Sequence, residues 1–136
     1  MAKASSSVHM EVPVEKMWEL IGKFNGLPDW HPAVQKSELQ DGGKTRKLSL
    51  VGGGTIVEQL EKQDDDNYLY SYRIVNSPLP VANYLAQLKV VRDGNGCNVE
   101  WSSEFKPSGA SESEAVKAIL GVYQAGFDNL KKMFGG

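Results

Sequence analysis

An α+β fold, with a curved seven-stranded antiparallel sheet wrapped around one long C-terminal helix, is predicted by three features of the sequence. A short strand-like alternation opens the chain and gives way to helical spacing. The stretch from Val34 to Phe105 then alternates with period two. From Ser111 to Phe134 the spacing is helical again, with one continuous apolar face. Strands followed by a single terminal helix place that helix on one face of an antiparallel sheet.

Each element has its own signal. Val8, Met10 and Val12 alternate with His9 and Glu11, a half-buried strand expected over residues 3–12. Pro13 suits the first turn of a helix. Val14, Met17, Trp18, Ile21 and Phe24 form the stripe of that helix, and Asn25-Gly26-Leu27-Pro28-Asp29 stops it. Trp30-His31-Pro32 is expected in a second short helix or turn. Six strands follow at about 34–40, 44–51, 55–63, 67–75, 83–92 and 97–106, separated by Gly and Asp/Asn clusters. Four of the five breaks are short, as in a meander; the fourth, Asn76 to Pro80, is longer and holds two prolines. In the last segment Ser111 is the expected N-cap, with Glu114 at the capping-box position. Val116, Ile119, Leu120, Tyr123, Phe127, Leu130 and Phe134 form its apolar face. Lys131 and Lys132 suit the C-terminal dipole, and Gly135-Gly136 ends the helix. A sheet curved around one helix is the helix-grip architecture, and it need not fill its interior with its own side chains, which leaves room for a pocket.

Bulk properties narrow the function. The 136 residues suit one ligand-binding domain, residues 1–136, with a core large enough to fold without disulfide or metal. Fifteen basic and seventeen acidic residues are interspersed, for a net charge of −2. No basic block offers the concentrated positive surface that nucleic acid requires. Cys97 is alone and cannot form an internal disulfide. No phosphate loop, HExxH, paired cysteines or nucleophile elbow occurs, so no metal and no cofactor are expected. No apolar run approaches the roughly 20 residues that span a bilayer, so no integral membrane association is expected. The N-terminus has no apolar h-region, and the expected location is cytoplasmic. The oligomeric state is left open.

The segment from Val12 through Ile21 resembles the opening helix of polyketide cyclase/dehydrase-like members of the START/birch-pollen-allergen (SRPBCC) superfamily. Trp30-His31-Pro32 resembles the start of their second strand, and Glu58-Gln59-Leu60 their Glu-Arg-Leu run, with Gln59 in place of Arg. Leu79 to Tyr84 and Val99-Glu100-Trp101 fit the later strands. The layout is also similar to the plant abscisic-acid receptors and lachrymatory-factor synthase. The superfamily includes carriers, receptors and enzymes, so the resemblance implies the fold and a hydrophobic small-molecule partner without deciding between binding and catalysis.

Alternation assigns the inward faces. Ile56, Glu58 and Leu60 share one, as do Arg46, Leu48 and Leu50. Tyr70, Tyr72 and Ile74 form a third, Tyr84, Ala86, Leu88 and Val90 a fourth, and Val99, Trp101, Ser103 and Phe105 the last. Arg46 and Glu58 are charges among apolar neighbours. A three-residue turn at Gly52-Gly53-Gly54 pairs Val51 with Thr55 and makes Arg46 and Glu58 diagonal neighbours on one face. Buried charges are costly unless paired. The two residues therefore form either a polar anchor in the cavity or an ion pair that only fixes the sheet. The resemblance implies the first, since Glu58 matches a cavity carboxylate of the receptors, and Arg46 with Glu58 is similar to the Arg and Glu implicated in the synthase. His31 aligns with the receptor lysine that meets the ligand carboxylate; alternatively it is a surface histidine held between Trp30 and Pro32.

The expected cavity wall comprises Leu48, Ile56, Tyr72, Ile74, Leu79, Tyr84, Ala86 and Trp101 on the sheet side, with Ile119, Val122, Tyr123 and Gly126 as the helical roof. Plain core packing is the competing role for the aromatic members. Gly52-Gly53-Gly54 and Ser77 to Pro80 are the expected entrance, as the corresponding receptor loops close over ligand. Three functions follow. The first is a binding module for a hydrophobic molecule with one or two polar groups. The second is a cyclase, dehydratase or isomerase using Glu58 as acid or base, Arg46 to hold negative charge, and His31 or Tyr84 as auxiliary donor. The third is a protein-interaction module.

Overall fold

The computed structural model describes residues 2–135. β1 (Ala2–Met10) is followed by α1 (Val14–Ile21), a 3₁₀ helix (Phe24–Asp29), β2 (Val34–Gln40), a 3₁₀ turn (Asp41–Gly43), β3 (Thr45–Leu50), β4 (Thr55–Asp64), β5 (Leu69–Asn76), β6 (Val81–Asp93), β7 (Gly96–Pro107) and α2 (Glu112–Met133). The strands form one seven-stranded antiparallel sheet in the order β1-β7-β6-β5-β4-β3-β2. It curves around α2 in the helix-grip arrangement. Alternate residues of β5, β6 and β7 are buried on the inner face of the sheet, from Tyr70 and Tyr72 through Tyr84, Ala86, Leu88 and Val90 to Val99, Trp101, Ser103 and Phe105. Among the described residues no helix is long and apolar enough to cross a membrane.

The helical segments depart from expectation in one place. The second short helix covers Phe24–Asp29, which takes in Phe24 from the expected stripe of the first helix and the Asn25–Asp29 stretch read as its stop, while Trp30-His31-Pro32 lies in the turn after it, one of its two expected placements. Residues three apart stack in a 3₁₀ helix, so Phe24 and Leu27 are buried together. The first strand also ends at Met10, so that Val12 packs as a buried loop residue.

α2 begins as the sequence predicts. Ser111 Oγ accepts the Glu114 N–H at 3.1 Å, and the Glu114 carboxylate accepts the Ser111 N–H. Ala115, Ile119, Tyr123, Gly126, Phe127 and Leu130 are its buried face, and Leu120 sits only half-buried beside it. Gly135 follows the helix at φ 74°, while Gly136, the second glycine of that stop, lies outside the described residues.

Bulges shape the sheet beside the helix. In β6, Asn83 and Tyr84 together face the single residue Phe105, between the pairs Ala82–Lys106 and Leu85–Glu104. Asn83 takes the left-handed conformation, φ 52°, that Asn tolerates better than most residues. The extra residue ends the alignment with β5, whose pairing with β6 stops at Arg73–Leu85, and turns Tyr84 inward. In β5 an extra residue, Val75, falls between the partners of Val57 and Glu58, which leaves Val75 exposed and Ile74 inward opposite Glu58.

Candidate functional site

Between the sheet and α2 lies a cavity of about 130 Å³. Its sheet side is formed by Leu48, Ile56, Glu58, Tyr72, Ile74, Tyr84 and Trp101, with Leu79 from the β5–β6 loop. Ile119 and Val122 of α2 roof it, and His31 closes one end. Leu27, Ala33, Val34 and Leu50 complete the wall; alternation puts Leu50 on the inward face with Leu48 but cannot find the other three, which lie in or beside irregular backbone. Larger hollows, up to about 400 Å³, lie among outward-pointing residues such as Ser5, Ser71, Gln87 and Glu104, at the β5–β6 end beside Asn76 and Asn83, and between α1 and α2 at Lys16, Leu20 and Met133. The first is an open groove on the far face of the sheet.

Three expected wall residues are placed otherwise. Ala86 is buried between its strand partners Tyr72 and Ser103 and does not reach the cavity. Tyr123 stacks on Trp101, ring centroids 4.5 Å apart, and directs its hydroxyl into a buried chain. The Tyr84 and Tyr123 hydroxyls are 2.7 Å apart, and Tyr123 Oη donates to Ser103 Oγ, also at 2.7 Å. Burial pushes the Tyr123 phenol up to about 12. Gly126 is a notch. A Cβ there would lie 2.9 Å from Trp30 Cζ3, 3.0 Å from His31 Cδ2 and 3.3 Å from Trp101 Cζ3. Gly126→Ala should therefore destabilise the protein, although alanine gains about 1 kcal/mol of helix propensity over glycine. Denaturant unfolding checks the sign.

That notch lets His31 reach the helix backbone. Its Nε2 lies 2.8 Å from the Val122 carbonyl and its Nδ1 3.2 Å from the Ala33 N–H. A carbonyl only accepts and an N–H only donates, so Nε2 carries the proton and Nδ1 is bare. His31 is 2% exposed, which removes the surface-histidine alternative. Burial lowers its pKa, and the Val122 hydrogen bond only partly opposes this. With both nitrogens engaged by backbone, the ring presents carbon to the cavity, and an auxiliary proton role would break one of these bonds. His31 titrates from its depressed folded value, while the unfolded chain takes up the proton near the ordinary 6.5. The unfolded state then binds more protons, so this residue's contribution makes stability fall as pH drops below about 6.5. Exposed His9, raised by its bonds to Asn98 and Glu11, has the opposite sign. An imidazole nitrogen NMR titration should find His31 titrating below 6.5, with Nε2–H in its neutral form, and His9 above 6.5; His31 titrating at or above 6.5 would contradict the assignment.

Arg46 and Glu58 meet, but in a different register from the one expected. They are direct cross-strand partners, as are Leu48–Ile56 and Ser49–Thr55. The connection runs through Leu50 to Gly54 rather than through three glycines alone. Leu50 N–H bonds the Gly54 carbonyl, and Val51 N–H turns away to Ala33. Positive φ at Gly52, Gly53 and Gly54 (89°, 106° and 97°) makes this wider turn accessible. The shift is by two residues, so the facing of every side chain is preserved.

Arg46 is fully buried, and Nε donates to Glu58 Oε1 at 2.8 Å. Nη2 lies 2.7 Å from the same oxygen, outside hydrogen-bonding geometry, and is left without a hydrogen-bond partner. Nη1 donates to the Phe24 carbonyl and, at 3.4 Å, to Tyr70 Oη. The guanidinium lies 4.2 Å from the Phe24 ring centre and 5.1 Å from that of Tyr72. It is not part of the cavity wall; Glu58 is. Burial pushes the Glu58 carboxyl up, and Arg46 opposes this without cancelling it. Oε2 of Glu58 makes no hydrogen bond among the described residues. Tyr72 Oη accepts from Trp101 Nε1 at 3.0 Å, and its own proton has no acceptor among them.

A seven-stranded antiparallel sheet curved around a C-terminal helix is the arrangement of the START-like SRPBCC proteins. The chain belongs to the family described as polyketide cyclase / dehydrase and lipid transport, whose model matches residues 1–135. It is similar to the structure of XoxI from Bacillus cereus at 39% identity and a TM-score of 0.96, over 98% of this chain and 96% of that one. An uncharacterized protein of Bacillus thuringiensis is equally similar, at 39% identity and TM-score 0.96, over 99% and 100% of the two chains. A START superfamily protein of Mycobacterium smegmatis shares the fold at 10% identity, with TM-score 0.80 over 99% and 98%. Abscisic acid receptor PYL2 of Arabidopsis thaliana is 28% identical over 82 residues, which are 55% of this chain and 43% of the receptor.

Proposed function

We propose that the chain binds a hydrophobic small molecule in the cavity between the sheet and α2, as a single ligand-binding domain. The observation that carries this reading is the unfilled space of about 130 Å³, walled by apolar and aromatic side chains around the one carboxylate of Glu58. The family description, which includes lipid transport, and the abscisic acid receptor among the relatives support it. Leu50 and Leu79 bring the Gly52-Gly53-Gly54 and Ser77 to Pro80 loops to the cavity wall, and these loops are the proposed entrance.

A panel of fatty acids, sterols, flavonoids, polyketides and small aromatic compounds tests the reading. A ligand at 100 times its dissociation constant adds about 2.7 kcal/mol of stability, read as a raised melting temperature. Emission of Trp101 should change with it, and amide exchange in the two loops should slow. A panel that moves neither melting nor emission would refute the reading.

Proton-transfer catalysis is the second reading, favoured by a buried carboxyl whose pKa burial raises and whose Oε2 is unspent beside a bound cation. Glu58 would move the proton while Arg46 holds negative charge at Oε1. Turnover lost in Glu58→Gln with binding retained would distinguish this from binding alone.

A further inference from the structure

Building on the cavity reading above, we infer that the ligand is a neutral hydroxyl compound, an alcohol or phenol about one ring in size, and not a carboxylate.

Size sets the first bound. An engineered apolar cavity of about 150 Å³ in another protein accepts benzene. The cavity here, about 130 Å³, is close to that. Larger ligands need the entrance loops to move outward.

The second bound is the polar capacity left unspent at the wall. Glu58 Oε2 makes no bond among the described residues, while Oε1 is held by Arg46. Tyr72 Oη accepts from Trp101 and keeps a proton to give. Glu58 and Tyr72 stand on adjacent strands, β4 and β5, near one guanidinium. They thus offer one acceptor and one donor. A hydroxyl has the chemistry to satisfy both, since it donates and accepts alike, and it can accept from Glu58 where that carboxyl is protonated.

The third bound is that no usable cation stands at the wall among the described residues. Arg46 lies behind Glu58 and outside the wall, and both His31 nitrogens are occupied by backbone. A carboxylate would enter desolvated, facing another carboxyl, with no positive partner.

The test is calorimetric titration of the whole chain at pH 7 with phenol and toluene, which have equal numbers of heavy atoms, and with benzoate, which is two heavy atoms larger. Phenol should bind about tenfold or more tighter than toluene, as a hydrogen bond to a charged group implies. Benzoate should give no detectable binding. In the Arg46→Met/Glu58→Leu variant the advantage of phenol should disappear while toluene still binds; if that variant fails to fold, the ratio in the unaltered protein decides. Toluene equal to phenol, or benzoate the tightest, overturns the inference and leaves the cavity reading intact. Silence from these three with binding elsewhere in the panel overturns it as well. Silence from the whole panel brings down the cavity reading itself.

Discussion

Glu58→Ala should destabilise the protein by on the order of 3 kcal/mol or more, and Arg46→Ala by less. Each single substitution strands one buried charge, and the two remaining groups differ in what they can do about it. Glu58 without Arg46 escapes by protonation, since burial already pushes its pKa up. Arg46 without Glu58 stays charged at any accessible pH. It keeps the Phe24 carbonyl and the faces of Phe24 and Tyr72, which lessen the cost without removing it. The pH dependence follows from the same difference. In Arg46→Ala the folded pKa of Glu58 lies above its unfolded value of about 4.3. The folded state then binds more protons, so the variant is best preserved below that value and loses stability as pH rises toward the folded pKa. Arg46→Met with Glu58→Leu removes both charges and should recover much of the loss. A double-mutant cycle by denaturant unfolding reads all of this. Small additive effects from the single variants would mean that the pair is not energetically coupled.

The pair also shows what was legible in the sequence. Facing was legible, because a strand with one buried side must put its apolar residues there, and two charges in that phase stand out. Register was not, because it depended on where one amide, Val51 N–H, finds its acceptor, and that acceptor is Ala33 on another strand connection. The capping box of α2 was legible because it is local. The role of His31 was not, because its partner Val122 lies 91 residues away. Gly126 read as cavity roof because it falls on the apolar face of α2. Its missing Cβ matters instead to Trp30 and His31, in a turn whose path has no periodic signal. For the same reason Leu27, Ala33 and Val34 escaped notice as wall residues: periodicity speaks for strands and helices and is silent on the turns that close a cavity.

Val122→Trp should abolish ligand binding while leaving the fold in place. Val122 is half-buried and reaches the cavity from α2, opposite the sheet residues that form its other side. Large side chains forced into a packed core cost about 1–3 kcal/mol, because neighbours leave their rotamers. Here about 130 Å³ of space is available to receive the indole, so the expected change in melting temperature is a few degrees or less. The carbonyl that holds His31 belongs to the backbone and survives the substitution. The same volume then becomes unavailable to a ligand, and affinity should fall by about 100-fold or more, equivalent to about 2.7 kcal/mol. Val116→Trp is the control. Val116 lies nearly two turns earlier on α2, packs against the core, and does not touch the cavity. It should leave binding near that of the unaltered protein. The measurements are ligand titration and thermal unfolding of both variants, using whichever panel member binds most tightly. Lost binding in Val122→Trp alone places the ligand under α2. Equal binding in both variants would place it elsewhere, most directly in the open polar grooves on the far face of the sheet.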